Sequence, residues 1–281
     1  MQDNFEWSIE NKSTSLSAKL KEVWMHRDLL GLLVKKDFVT FYKQTLLGPL
    51  WYFIQPLFTT IIFMFIFGKI GGFKTDGIPR PIFYMSGIIL WNYFADCVTK
   101  TSTVFKDNSD LFGKVYFPRI ILPISIVISN LVKFSIQFIF LIIVIIYYIV
   151  FQKEQVGANF FIILFPLLIL LMAILGLGIG LIVSAMTTKY RDLSFLITFG
   201  VQILMYTTTV AYPLSSVDKS IQWIVELNPM TAIVETFRYG FIGHATFQWI
   251  NLIYSFSFTV IMLSIGVFIF NKVERNFIDT I

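Results

Sequence analysis

One cysteine, Cys97, and two histidines, His26 and His244, are all the thiol and imidazole ligands that 281 residues contain. A lone cysteine excludes an internal disulfide and any cysteine-based zinc or iron–sulfur centre. The histidines sit in different segments with no carboxylate–histidine pattern around them, so no metal site is expected. No G-x-x-x-x-G-K-[ST] run occurs, and without that phosphate loop the chain does not hold ATP in the usual way. Charge is also scarce, at 14% of residues, and the 22 lysines and arginines are spread between apolar blocks. They build no continuous basic face for nucleic acid. The first 45 residues carry Asp3, Glu6, Glu10, Lys12, Lys19 and Lys21 and no clean apolar core, unlike a cleaved signal peptide.

Apolar surface is what the chain has in excess: 56% of residues are hydrophobic and 31 are phenylalanine. That is more than one soluble core of this size can hide, so lipid is the expected solvent. Windows of about 19 residues select apolar blocks at 50–70, 82–104, 120–151, 160–187, 194–213 and 249–271. Each is long enough to cross a bilayer. The third contains Pro123 and Lys133 and exceeds one crossing, which predicts tilt or an interfacial start. The expected fold is an all-α integral membrane domain of six transmembrane helices over 50–271, with residues 1–49 before it and a tail at 272–281.

Orientation follows the positive-inside rule. Lys12, Lys19, Lys21, Arg27, Lys35, Lys36, Lys43, Lys100, Lys106, Lys114, Arg119, Lys189, Arg191, Lys272 and Arg275 fall on one side, fifteen in all. Lys69, Lys74, Arg80, Lys153, Lys219 and Arg238 fall on the other, which is six. Both termini are therefore predicted to be cytoplasmic. Ahead of the first span, Leu30, Leu33, Val34, Phe38 and Phe41 recur at helical spacing between Arg27, Lys35, Lys36 and Lys43. This predicts an amphipathic helix in the headgroup plane, with plain anchoring of the first span as the alternative. Residues 214–248 are too short for two crossings and too apolar for a free loop. Two short re-entrant helices shielded by protein fit them, and so does an extracellular hairpin.

Apart from Lys69 and Lys100 at span ends, only Asp96 and Lys133 are charged inside the spans, too few for a proton-coupled carrier. Asp96 has Lys100 one turn away, and Lys133 either snorkels or reaches Asp96. The run Gly176-Leu177-Gly178-Ile179-Gly180 has no strand before it and is not a dinucleotide loop. Its small-xxx-small pair, Gly176 and Gly180, suits close helix packing, with a hinge as the alternative. Aromatic side chains gather at Trp51 and Tyr52, at Tyr84, Trp91, Tyr93 and Phe94, and at Tyr206 and Tyr212. An interfacial belt and lipid-facing bulk account for most of them. Those with polar handles also suit a pathway along which a glycan slides on aromatic faces.

Five stretches in order resemble the membrane permeases of ABC-type polysaccharide exporters, which move O-antigen, capsule or teichoic acid chains. They are Arg27-Asp28-Leu29-Leu30 with Lys36-Asp37 and Tyr42-Lys43-Gln44-Thr45-Leu46-Leu47-Gly48; Phe117-Pro118-Arg119 through Pro123; Tyr190-Arg191-Asp192-Leu193; Ala211-Tyr212-Pro213; and Leu227-Asn228-Pro229-Met230-Thr231 with Glu235 and Arg238. The resemblance spans roughly residues 20–275. It implies a homodimer in the bacterial inner membrane, served by two separate ATPase subunits that bind ATP and Mg, with no cofactor in this chain. The cargo implied is a lipid-linked polysaccharide, most simply undecaprenyl-diphosphate-linked O-antigen. A drug, haem or small-lipid permease, an enzyme acting on lipid carriers and a channel are the rival classes. By position, 105–117 resembles a coupling helix for the ATPase, with Asp107, Asn108, Asp110 and Lys114 as a polar face and Leu111 and Phe112 as an anchor. Arg27, Lys36 and Lys43 are implied anchors for the lipid diphosphate or parts of its gate, and Asn228, Pro229, Glu235 and Arg238 mark the re-entrant region.

Overall fold

A computed structural model describes residues 23–43, 46–108, 117–154, 156–190 and 192–278. These residues are helical, with no strand among them. Helix α1 covers Arg27–Lys43, and α2 runs over Trp51–Phe63 and continues as a wider π turn over Met64–Ile70. Then come α3 (Arg80–Ser102), the single turn α4 (Val104–Asp107) and the long α5 (Ile121–Phe151). The second half holds α6 (Phe165–Thr187), α7 (Leu193–Tyr206), α8 (Gln222–Glu226), α9 (Pro229–Ile242) and α10 (Trp249–Ile278).

Among the described residues, four helical stretches are long and apolar enough to cross a membrane: Gly48–Ile70, Ile121–Phe151, Phe160–Thr187 and Trp249–Val273. They agree with four of the six apolar blocks to within a few residues. The other two blocks form helices of a different kind. Helix α3 is 23 residues long with 16 of them buried, and it lies at the centre of the bundle against α5 and α6. The face left partly open carries Asn92, Asp96 and Lys100, four residues apart, and the rest of the helix is largely buried. Helix α7 ends at Tyr206, not at Pro213. Its 14 residues extend about 21 Å at 1.5 Å each, and Thr207–Tyr212 turn away from the helix axis.

Pro123 lies in the first turn of α5, where its missing N–H has no intrahelical duty. It starts the helix and does not break it. The 31 residues of α5 then run about 46 Å, well beyond a hydrocarbon core of about 30 Å. Asn228 caps α9: its side chain accepts from the Met230 N–H at 3.1 Å and donates to Thr208 Oγ1 at 2.6 Å, and Pro229 takes the first helical position. Gly243 closes the same helix at φ +80°. In the link before α8, Asp218 accepts from the Ser220 N–H and hydroxyl, both at 2.9 Å, which holds its carboxyl below the usual range.

The glycines of α6 set the bundle's spacing. Gly176 and Gly180 face α3, where added Cβ atoms would lie 2.6 Å from Cys97 Cβ and 2.5 Å from Thr101 Cβ. Gly178 faces the other way, onto the backbone of α10 at Met262 and Leu263, while Gly266 of α10 meets the Gly178 carbonyl. Close packing is thus the role the small residues take, on two faces. Cys97, fully buried, is part of that contact.

Phenylalanines fill the space where α5, α6 and α9 converge. Phe138 stacks on Phe165 at 4.5 Å and Phe237 on Phe241 at 4.5 Å, with Phe165 edge-on to Phe241 at 5.0 Å. Others, such as Phe58, Phe65, Phe195, Phe199 and Phe268, are exposed on the outer surfaces of α2, α7 and α10. Leu29, Leu30 and Leu33 of α1 pack onto a second apolar cluster built from Val104, Phe105, Phe117, Ile121, Leu122, Leu181 and Phe270. The apolar stripe of α1 is therefore partly covered by protein, while Trp24, Met25 and Leu32 stay exposed.

Candidate functional site

Where α1 crosses α5, the ends of α2 and α3 complete a cavity of about 460 Å³. Lys36, Asp37, Phe38 and Thr40 come from α1, and Tyr52 from the start of α2. Lys100, Asp107 and Asn108 come from the α3–α4 end, and Ile126, Ser129, Asn130 and Lys133 from α5. Helix periodicity explains the α5 set, because residues three and four apart share a face. Ser129 donates to Asp37 Oδ2 at 3.1 Å and ties α1 to α5.

Three ammonium groups reach this cavity, each in a different state. Lys133 donates to Asp96 Oδ2 at 2.8 Å, and both side chains are mostly buried, at 16% and 26% exposure. Of the two arrangements open to Asp96, the structure adopts the pair with Lys133. Lys100 turns instead to a neutral acceptor, Asn130 Oδ1, at 2.8 Å. Lys36 is exposed with no ion pair among the described residues. The carboxylate of Asp107 accepts from the Thr103 hydroxyl at 2.6 Å.

The three residues implied as diphosphate anchors separate. Lys36 lines the cavity, whereas Arg27 sits 4.0 Å from Asp28 and over the Trp24 ring, and Lys43 is exposed at the end of α1. In the coupling segment, Asp107 and Asn108 line the same cavity, and Asp110, Leu111, Phe112 and Lys114 lie outside the described residues. The aromatic residues do not come together either. Tyr84, Trp91, Tyr93 and Phe94 are packed in the core, while Trp51 and Tyr206 are 41% and 46% exposed. Tyr212 is half-buried and donates to the Tyr206 carbonyl at 2.9 Å. Lys100, Lys133 and Asn130 join the site only through the fold.

At the other end of α3, Arg238 is fully buried. Its guanidinium donates to the Thr209 carbonyl at 2.5 Å, the Phe83 carbonyl at 3.0 Å and Ser86 Oγ at 3.3 Å, and it stacks 3.7 Å above the Phe83 ring. Glu235 stands 3.5 Å from it and accepts from the Thr246 N–H and hydroxyl at 3.3 Å. These bonds explain how the strand of chain after α7 can leave the helix. Carbonyls that a longer helix would have satisfied are taken by Arg238.

Long apolar helices with an apolar exterior define an integral membrane protein. A family model described as ABC-2 type transporter matches residues 28–242, and the chain belongs to that family. The O-antigen export system permease protein RfbA of Klebsiella pneumoniae is 28% identical over 255 residues, covering 90% of this chain and 94% of that protein. RfbA of Myxococcus xanthus is 26% identical over 265 residues, covering 93% and 98%. The polysialic acid transport protein KpsM of Escherichia coli is 24% identical over 243 residues, covering 85% and 91%.

Proposed function

We propose that this chain is the transmembrane subunit of an ABC exporter that carries a lipid-linked polysaccharide, undecaprenyl-diphosphate-linked O-antigen, across the bacterial inner membrane. The observation that carries this reading is the likeness over nine-tenths of the chain to permeases named for O-antigen export. Capsule export is the second reading, favoured by the likeness to KpsM and to the capsule export protein CtrC of Neisseria meningitidis.

In this proposal α3 and α7 join the four long apolar stretches to make six crossings, and α8 and α9 dip part-way into the outer leaflet. Both termini are cytoplasmic, and the α1 end of the bundle faces the cytoplasm. Two copies of the chain flank the path, and two ATPase subunits supply the ATP and Mg chemistry. The 105–117 segment docks into the ATPase, so that ATP binding shifts the helices around it. Trp51 and Tyr206, the exposed members of the aromatic set, are the side chains offered to the glycan.

Deleting the gene is expected to abolish surface glycan and to leave lipid-linked glycan inside the cell, measured by immunoblotting of surface and total polysaccharide. Normal surface polysaccharide in the deletion strain would overturn the reading. The docking assignment has its own test. Leu111→Ala with Phe112→Ala is expected to lower glycan-stimulated ATPase activity of the assembled transporter several-fold while membrane insertion is unchanged. Full stimulation in that variant removes the segment from the coupling path.

A further inference from the structure

We propose that Asp96, Lys100, Asn130 and Lys133 form a partner-exchange switch between α3 and α5, in which two bonds across the helices trade for two bonds within them.

In the structure both bonds cross. Lys133 of α5 donates to Asp96 of α3 at 2.8 Å, and Lys100 of α3 donates to Asn130 Oδ1 of α5 at 2.8 Å. The same four side chains have a second set of partners. Asp96 and Lys100 are four residues apart on α3, with the acid on the N-terminal side, and Asn130 and Lys133 are three apart on α5. Residues at these spacings are neighbours on a helix surface. Exchange therefore turns one ion pair and one lysine–amide bond between helices into one ion pair and one lysine–amide bond within them. No charge is stranded in either state, which removes the main cost of opening a partly buried ion pair. Lys100, Asn130 and Lys133 all line the cavity of about 460 Å³, so their side chains have room to reorient. Asn130, only 3% exposed, has no partner for its Nδ2 among the described residues. The crossed state thus leaves one donor unsatisfied and holds no large advantage.

Farther along α5 the contacts are of another kind. Phe134 packs on Tyr93 of α3 at 5.1 Å, and Gln137 donates to the Tyr52 carbonyl at 3.2 Å. These serve as a pivot, and the exchange frees the end of α5 nearer α4. Ser129, beside Asn130, donates to Asp37 and takes α1 with it. The switch stands on the α3–α5 contact alone. Only its use rests on the exporter reading, in which the segment after α4 docks the ATPase and its stroke parts α3 from α5.

Spin labels on Lys106→Cys of α4 and Val132→Cys of α5 test the switch, because both positions are exposed and the native Cys97 is fully buried. The full chain is placed in lipid nanodiscs, with labelled chain diluted by unlabelled chain so that distances within one chain are read. Lys133→Gln removes the crossed ion pair but not the one within α3, and is expected to raise the population of a second, longer distance about tenfold. Lys100→Gln keeps a donor for Asn130 and removes the ion pair within α3, so its distances are expected to narrow onto the crossed state. The double variant weakens both sets alike and is expected to return to the wild-type distribution. If the double variant instead shows more of the longer distance than Lys133→Gln, the lysines only hold the helices together and the exchange is overturned. Absence of the longer distance in Lys133→Gln also overturns it. So does failure of that variant to fold in thermal unfolding, since the exchange supplies Asp96 with Lys100. None of these results touches the exporter reading, because neither cargo nor ATPase takes part.

Discussion

Gly178→Leu is expected to leave almost no folded protein, and Gly178→Ala to lower stability by about 1–3 kcal/mol, the usual cost of overpacking a well-packed contact. The reason is what the new atoms meet. A Cβ on Gly178 would stand 2.8 Å from the Leu263 amide nitrogen and the Met262 carbonyl carbon, which are backbone of α10 and cannot rotate aside. Nor can α6 simply move off α10, because Gly176 and Gly180 hold its other face against Cys97 and Thr101 of α3. Three helices therefore share one strain. Gly31→Ala and Gly200→Ala provide the contrast, since nothing lies within 4 Å of either position. Both glycines sit within helices, where alanine is favoured by about 1 kcal/mol. Thermal unfolding followed by size-exclusion profile in detergent distinguishes the cases: a monodisperse, wild-type-stable Gly178→Leu protein would refute the packing account.

Much of this packing is legible in the sequence because it is local. Gly176 and Gly180 announce a helix face four residues apart, and Asn228-Pro229 announces the start of α9. Apolar runs of 20 or more residues place the long helices within a few positions. The failures are of another kind. Thr207–Tyr212 are less apolar than the helix before them but hold no charge, glycine or proline, so a wide hydropathy window carries the fifth block to Pro213 and misses the turn. Helix α3 carries Asn92, Asp96 and Lys100 on one face, and the pattern does not tell which neighbour each of its apolar sides meets. Its tyrosine and tryptophan side chains carry polar handles that suit a pathway, and the structure packs them in the core. Gly178 is visible as a glycine, but its partner Gly266 lies 88 positions away, beyond any local pattern.

The cavity follows the same division. Lys36 is legible because an amphipathic helix carrying cations beside a first span marks a lipid-facing cationic border. Lys100 and Lys133 are visible only as possible partners for Asp96. Which one pairs depends on the rotation of α5 against α3, a tertiary quantity. Once α5 gives Lys133 to Asp96, Asn130 one turn earlier accepts from Lys100, and both lysines line the cavity.

Arg238→Leu is expected to cost about 3–5 kcal/mol, because it strands several buried polar partners at once, and to lower the apparent Tm by on the order of 10 °C. The leucine would leave the buried Glu235 side chain without its partner and strip the Thr209 carbonyl of its donor, whereas the Phe83 carbonyl keeps the Ser86 hydroxyl at 2.9 Å. Arg238→Lys is expected to recover only part of the loss. An ammonium group cannot repeat the planar fork that spans α3 and the chain after α7, nor stack in the same way on Phe83. The pair Arg238→Leu with Glu235→Leu separates charge from hydrogen bonding. If the stranded carboxylate dominates, the double variant is more stable than Arg238→Leu alone. If the unsatisfied carbonyl dominates, the second substitution restores little. The geometry favours the second outcome, because the Glu235 contact is long, at 3.5 Å, while the bond to the Thr209 carbonyl is 2.5 Å. Arg238 is thus expected to act mainly as a replacement for the helical N–H groups that end with α7, and a near-complete rescue by Glu235→Leu in thermal unfolding would show that reading to be wrong.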